Sequence, residues 1–200
     1  MKLIKILMAL LILSTSVSAQ QGQLRADINY TIGLPVGNLK NLVDKTSFRG
    51  GEIDLMYGIT DKMSVGLALG TQDFYQKYSR TVLHSDGQDI SAVITNSIQV
   101  SPVMLKASMK LSDGPVQPFV SLAAGGNLIY YRKFYGEFAD SKTKFGFAAQ
   151  PSFGVNIPFG RSSGAGFQIA AGFNYMPFKY NDANGLHHGV IKAGISIPLR

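Results

Sequence analysis

The sequence has no cysteine. An exported chain without cysteine is not a small extracellular module stapled by disulfides, and it has no thiol to carry a lipid anchor behind a leader. Outside the N-terminus, no apolar run approaches the roughly 20 residues of a membrane-spanning helix. Histidine is scarce, with three residues in the chain. His187 and His188 adjoin in an alternating segment, so they point to opposite faces and cannot chelate one ion without a kink. His84 stands beside Ser85, but no Ser, His and carboxylate are spaced to meet on one rigid wall, as a serine hydrolase needs. The glycines between Gly160 and Gly166 have no helix after them and read as a turn, not a phosphate cradle. No catalytic, metal or cofactor-binding residue is therefore expected, and no cofactor.

The N-terminus, MKLIKILMALLILSTSVSAQQ, does carry a signal. Lys2 and Lys5 precede the apolar run Ile6 to Leu13, and Ser16-Val17-Ser18-Ala19 gives a small-x-small cleavage pattern. This reads as a secretory signal peptide over 1–19, too short to anchor the protein, with one domain over 20–200. The 19 Lys and Arg against 12 Asp and Glu give +7, and loss of Lys2 and Lys5 with the leader reduces this to about +5. That balance does not point to nucleic acid, because the charges are scattered over loops and the chain is exported.

The remainder alternates with period two, the signature of β-strands with one large apolar face. Ala26, Ile28, Tyr30 and Ile32 alternate with Arg25, Asp27, Asn29 and Thr31. Ile53, Leu55 and Tyr57 alternate with Glu52, Asp54 and Met56, and Val65, Leu67 and Leu69 with Gly66, Ala68 and Gly70. The pattern recurs at 92–111, 117–131, 145–159, 166–175 and 188–197. Short turns follow the second, fourth and sixth segments, and longer connections (34–48, 74–91, 132–144, 178–187) follow the others. This describes an all-β, eight-stranded antiparallel up-and-down barrel.

Were the large apolar face inside, the outer surface would be Gly66, Ala68, Gly70, Ala123, Gly125, Ala148, Ala170, Gly172 and Gly194, too small and uncharged to meet water. Those residues suit a narrow lumen instead. The large face belongs outside, in lipid, where a closed barrel pairs every backbone group. Phe74, Tyr75, Tyr130, Tyr131, Tyr175 and Phe178 stand where strands meet long connections, and are expected to form an aromatic girdle. Tyr57, Phe159 and Phe167 lie near the short turns, as a second girdle would require. Parity sends Arg25, Asp27, Glu52, Asp54, Lys106 and Lys192 inward beside Asn29, Gln150, Asn156, Gln168 and Asn174, and these charges are expected to pair and plug the lumen. The apolar parity of 92–111 is even through Ile98 and Val100 and odd from Val103, so a β-bulge is expected near Ser101-Pro102. Leu39, Leu42 and Val43 suggest a short helix, capped by Asn38, that lids the mouth.

Two stretches, GLPVGNLKNLVDKTSFRGGEIDLMYGITDKMSVGLALG at 33–70 and VQPFVSLAAGGNLIYY at 116–131, carry a family resemblance. The chain resembles the eight-stranded outer-membrane β-barrel proteins that include OmpA- and OmpX-like members, in the form common among Bacteroidota. The resemblance covers nearly all of the mature chain. It implies a transmembrane barrel in the outer membrane of a Gram-negative cell envelope, with short turns periplasmic and long loops extracellular. It implies outer-membrane lipid, lipopolysaccharide and the outer-membrane assembly machinery as partners, and a monomer. The expected role is structural or surface-interacting. A lipid A-modifying enzyme and an accessory barrel of an export or assembly machine are the alternatives. One departure is the end, Ile197-Pro198-Leu199-Arg200, where such barrels usually carry a terminal aromatic residue. Either that recognition is relaxed here, or assembly reads other strand features.

Overall fold

In the computed structural model, the structure describes residues 22–85, 88–135, 138–160, 165–180 and 183–199. The leader expected over 1–19 lies outside the described residues, as do most of the glycine-containing turn after Gly160 and Arg200. The elements run β1 (Leu24–Pro35), α1 (Asn38–Leu42), β2 (Ser47–Gly58), β3 (Met63–Ser85), β4 (Gln88–Lys110), β5 (Gln117–Tyr135), β6 (Phe138–Pro158), β7 (Gly166–Asn174), β8 (Lys179–Tyr180), β9 (Ala183–Asn184) and β10 (His188–Pro198). Eight strands close in the order β1-β10-β7-β6-β5-β4-β3-β2, while β8 and β9 form a separate two-residue ladder. Each strand therefore lies beside its neighbours in sequence. The last strand seals against the first in one unbroken register, from Arg25↔Pro198 to Pro35↔His188.

The alternation decides the faces. Ile28, Ile53, Leu67, Leu105, Leu122 and Phe153 are exposed on the outside, and Asp27, Asn29, Glu52, Asp54, Lys106 and Lys192 are buried within. Small inward residues let the strands approach. A Cβ on Gly125 would lie 2.7 Å from the Met104 Cα, and one on Gly194 equally close to the Asn29 Cα. Real side chains cannot make such contacts, so glycine here permits the tight curvature of a narrow barrel.

The bulge expected near Ser101-Pro102 is absent. β4 pairs with β5 without interruption from Ile94↔Tyr135 to Lys110↔Phe119, and Pro102 stands opposite Asn127. On the other side, the β3–β4 ladder stops at Leu69↔Val103 and resumes at Gln72↔Val100 in the same register. The proline's missing N–H interrupts local pairing without inserting a residue. The phase switch in the sequence has another cause: Ile98, Val100 and Met104 point inward and are buried. What changes along β4 is the content of the lumen, from polar to apolar. The register shifts that do occur lie between Lys77 and Arg80 on β3 and between Thr31 and Gly33 on β1.

The long connections expected at 74–91 and 132–144 are also largely strand. β3 and β4 are each 23 residues long, and β5 and β6 are 19 and 21. About 9–11 residues of tilted strand suffice to span hydrocarbon. Polar segments such as 75–77 and 95–97 still pair, because the hairpin below sets their register. At this wide end α1 packs Leu39, Leu42 and Val43 against Phe74, Ile98, Ile129, Tyr131, Met176, Phe178 and Leu186 in one buried cluster. The expected Asn38 cap is not made: Gly37, with φ of 56°, holds the N-cap position and no side-chain hydrogen bond caps the helix. The other end of α1 is secured instead. Tyr78 Oη and Asn96 Nδ2 both donate to the Leu42 carbonyl at 2.8 Å, taking up a carbonyl the helix leaves open. Burial and the nearby Asp44 carboxylate push the Tyr78 phenol pKa up, so it stays a donor.

A ring whose membrane-spanning ladder has no free edge opens cooperatively or not at all. The mature protein is expected to migrate differently on SDS gels before and after boiling. Gly125→Val forces β4 and β5 apart, an overpacking of about 1–3 kcal/mol, and should lower the temperature at which the two bands merge. Identical migration of unmodified protein from native membranes would contradict a closed barrel.

Candidate functional site

The chemistry of this barrel is concentrated inside it. β1 and β2 carry the acids, with Asp27 directly opposite Asp54 and Asn29 opposite Glu52. Like charges facing one another destabilise a sheet unless cations reach them. The cations come from both sides: Lys192 from β10, Lys106 from β4 across the intervening β3, and Arg25 from β1 itself. Lys192 Nζ donates to Glu52 Oε1 and, at 2.5 Å, to Gln150 Oε1. Lys106 Nζ lies 2.5 Å from Asp54 Oδ2 and 3.6 Å from Glu52 Oε1. Arg25 Nε lies 2.9 Å from Asp27 Oδ1. Arg25, Lys106 and Lys192 thus match Asp27, Glu52 and Asp54 one for one, and Lys192 and Asp54 are 1% and 0% exposed.

The hydrogen bonding continues toward the wide end. Gln150 Nε2 donates to Asn174 Oδ1 at 2.8 Å, and Asn174 Nδ2 lies 2.8 Å from His188 Nε2. His188 Nδ1 is 3.1 Å from the Leu186 carbonyl. A carbonyl only accepts, so Nδ1 carries the hydrogen and Nε2 receives the one from Asn174. The result is a continuous chain, Asp54–Lys106–Glu52–Lys192–Gln150–Asn174–His188, crossing the lumen from one wall to the other. Beside it Thr31 Oγ1 donates to Gln72 Oε1 at 2.9 Å, and Gln72 Nε2 donates to Ser47 Oγ at 2.7 Å.

This layer divides the interior. Toward the wide end lies the apolar cluster under α1, and a space of about 10 Å³ between the two is bounded by Glu52, Gln72, Gln150 and His188. Toward the short turns the lumen opens into a vestibule of about 730 Å³, lined by Asp27, Lys106, Gln117, Phe119, Asn156 and Gln168 among others. Above the vestibule the lumen is filled by two unlike materials in series.

Inward parity placed the charged residues, but it left other positions unseen. Parity turned His188 toward the lumen as well, though at a wet strand end. It is 1% exposed, edge-on to the Phe74 ring at 5.0 Å. The parity it shares with Lys192 gave the inward face but not the depth of burial. Gln72, Gln76 and Asn96 are buried too; the sequence put the two glutamines in or beside a loop and gave Asn96 the outward parity of its strand. The expected aromatic girdle needs a larger correction. Tyr75 and Tyr175 are exposed on the outside and Tyr130 shares their outward parity, whereas Phe74, Tyr131 and Phe178 are buried in the core. Adjacent residues in a strand point to opposite faces, so the pairs Phe74-Tyr75 and Tyr130-Tyr131 each send one ring inside. Outside, His187 stacks on Tyr175 at 4.7 Å, and the Arg49 guanidinium sits 5.5 Å from the Tyr75 ring.

Removing one member of a buried ion pair typically costs roughly 3–5 kcal/mol, because the partner is left uncompensated. Lys192→Met should therefore destabilise the barrel by up to that amount, less whatever Lys106 recovers from Glu52. Adding Glu52→Gln should restore part of the loss. Urea unfolding in detergent measures both, and equal stability of all three proteins would show that the pairing contributes nothing.

A comparison with curated proteins finds no match. Among solved structures, the attachment invasion locus protein Ail of Yersinia pestis is 13% identical, with 88% of this chain and 99% of that one covered and a TM-score of 0.47. Neisserial surface protein A is 14% identical, with 88% and 95% covered and a TM-score of 0.50. Escherichia coli outer membrane protein W is 15% identical, with 91% and 100% covered and a TM-score of 0.47. At such identities the likeness concerns the fold alone. The family model described as outer membrane protein beta-barrel domain matches residues 6–197, which is nearly the whole chain. A closed ring of strands with apolar residues outside agrees with that description, and the chain belongs to the outer membrane protein beta-barrel domain family.

Proposed function

We propose that this outer-membrane barrel is a monomeric, non-enzymatic surface-interaction protein whose lumen conducts no solute. The observation that carries the reading is the length of β3 to β6. These four strands extend as a sheet well beyond what hydrocarbon requires, at the end where outer-membrane barrels face the exterior. β2 pairs with β3 only as far as Gln72, and β7 pairs with β6 only from Ser152 to Pro158, with one further bridge at Ala149↔Tyr175. Among the described residues, no strand covers the outer edge of β3 from Arg80 to Ser85 or of β6 from Phe138 to Thr143. An uncovered edge offers a row of backbone groups to which a partner's extended segment can add.

The closed lumen supports the same reading. A solute would have to displace both the ion-paired layer and the apolar core, and eight strands leave no width to pass around them. Among the described residues nothing sets a nucleophile beside a base, which weighs against lipid A chemistry.

The experiment shortens the hairpins and compares phenotypes. Removing 80–91 and 134–141 should leave a barrel that still resists SDS but loses whatever adheres to the cell surface through the sheet. Planar bilayers should show only small or rare conductance for the unmodified protein. A large steady conductance would establish a pore. An altered lipid A mass spectrum on expression would establish an enzyme, and a stably co-purifying secretion component would establish an accessory barrel.

A further inference from the structure

Above the hydrocarbon, the outward face of the long sheet carries its own chemistry. In the β5–β6 ladder the outward apolar positions end at the pair Leu128↔Phe145, followed upward by Tyr130↔Thr143 and then by Arg132↔Ser141. The last pair continues across β4 and β3 as one row, with Ser97 opposite Arg132 and Tyr75 opposite Ser97. Residues directly opposite one another have Cβ atoms only about 4.5–5.5 Å apart. Lys77, exposed and of the same outward parity, stands next above Tyr75. Arg132 follows Leu128 by four residues, which places it roughly 10 Å higher on a strand of the usual tilt. From there a guanidinium on its flexible stem reaches down to headgroups at the edge of the hydrocarbon.

The charge of this row is of one sign. Among the described residues, the side chains of Lys77, Ser97, Arg132 and Ser141 make no hydrogen bond or ion pair with one another or with any neighbour. The acid just below, Asp73, is taken by Arg49 at 3.4 Å, and the same guanidinium lies over the Tyr75 ring. On the other wall the outward positions that end β1, β7 and β10 are Leu34, Phe173 and Gly189, all uncharged. The unpaired cations therefore sit on one side of the barrel and do not form a belt around it. Below them the wall is apolar and open to lipid, with Val103, Leu128 and Phe145 exposed.

We propose that this row binds the phosphate monoester of an outer-leaflet lipid. A monoester carries about 1.5 to 2 negative charges at neutral pH, which Arg132 and Lys77 match. The guanidinium fork takes two of its oxygens, and the hydroxyls of Ser97 and Ser141 stand on either side to donate to the third. The acyl chains then run down over Val103, Leu128 and Phe145. A soluble anion has no tail for that wall, and a phosphodiester has one charge and one terminal oxygen fewer.

The test titrates the mature barrel in neutral detergent with monophosphoryl lipid A and counts the lipids retained by native mass spectrometry. A single lipid should be retained saturably in the micromolar range. Dephosphorylated lipid A and phosphatidylglycerol, a diester, should both be retained more weakly. Arg132→Gln should weaken retention roughly tenfold and Arg132→Lys less, because the lysine keeps the charge and loses the fork. Lys77→Gln should weaken it about fivefold, as one cation near a charged surface predicts. These side chains are exposed above the hydrocarbon, and the heat-dependent gel shift checks that each variant is folded. Lys62→Gln, which removes the same charge at the short-turn end, should change nothing. Equal retention of the dephosphorylated lipid or of phosphatidylglycerol would overturn the site, as would equal losses in Lys62→Gln and Arg132→Gln. Displacement of the lipid by equimolar inorganic phosphate would overturn it too, since the lipid would then add nothing to the anion.

Discussion

In hydrocarbon a backbone N–H has nothing to bind except another strand, and every other feature here follows from meeting that demand with eight strands. Closing β10 onto β1 leaves the membrane-embedded ladder without an edge. Eight strands make a ring so narrow that its interior must be filled by its own side chains. Glycine at 125 and 194 is then a requirement of curvature, because a side chain at either position would collide with the neighbouring strand's backbone. Outside, the solvent is lipid, so large apolar groups cover the surface. Inside, the residues are drawn from the opposite parity of the same strands, and there the sequence was free to place charge.

That freedom is used differently along the barrel. Near the middle the interior is ionic, with Lys192 and Lys106 shared between Glu52 and Asp54. Nearer the exterior it is apolar, and part of the filling comes from the connecting segments: Leu39, Leu42 and Val43 from α1, and Met176, Phe178 and Leu186 from the stretch around β8 and β9. Nearer the periplasm it is open. A gradient of this kind gives each end its own solvent. Water reaches the charges from one side only, and the exterior meets a dry surface tied down by Tyr78 and Asn96.

Much of this was legible in the sequence, for one reason. A strand in a closed barrel has two environments that alternate strictly, so parity alone assigned Asp27, Glu52, Asp54, Lys106 and Lys192 to the lumen, where they lie buried. Parity failed where it was not applied. Phe74, Tyr131 and Phe178 were grouped with the girdle because aromatics cluster there, although the even-odd rule separates Phe74 from Tyr75. It also misled where apolar was equated with outward. Ile98 and Val100 follow the lumen's change of content, and the proline beside them suggested a bulge that the unbroken β4–β5 register excludes. The extent of the long strands was hidden for a third reason. Above the membrane both faces of a hairpin meet water, so the polar segments of β3 to β6 carry no period-two contrast.

The bond between Lys192 and Glu52 joins residues 140 positions apart, and it arches over β1 at the seam where the ring is sealed. Contacts so distant along the chain are entropically expensive to bring together and slow to form. Neither ion can find the other until the intervening strands are ordered, and so the pair can form only late in folding. Its contribution is then largely absent from the barrier to folding and present in the barrier to unfolding. An electrostatic contact that does little to guide assembly would serve chiefly to prolong the lifetime of the assembled ring.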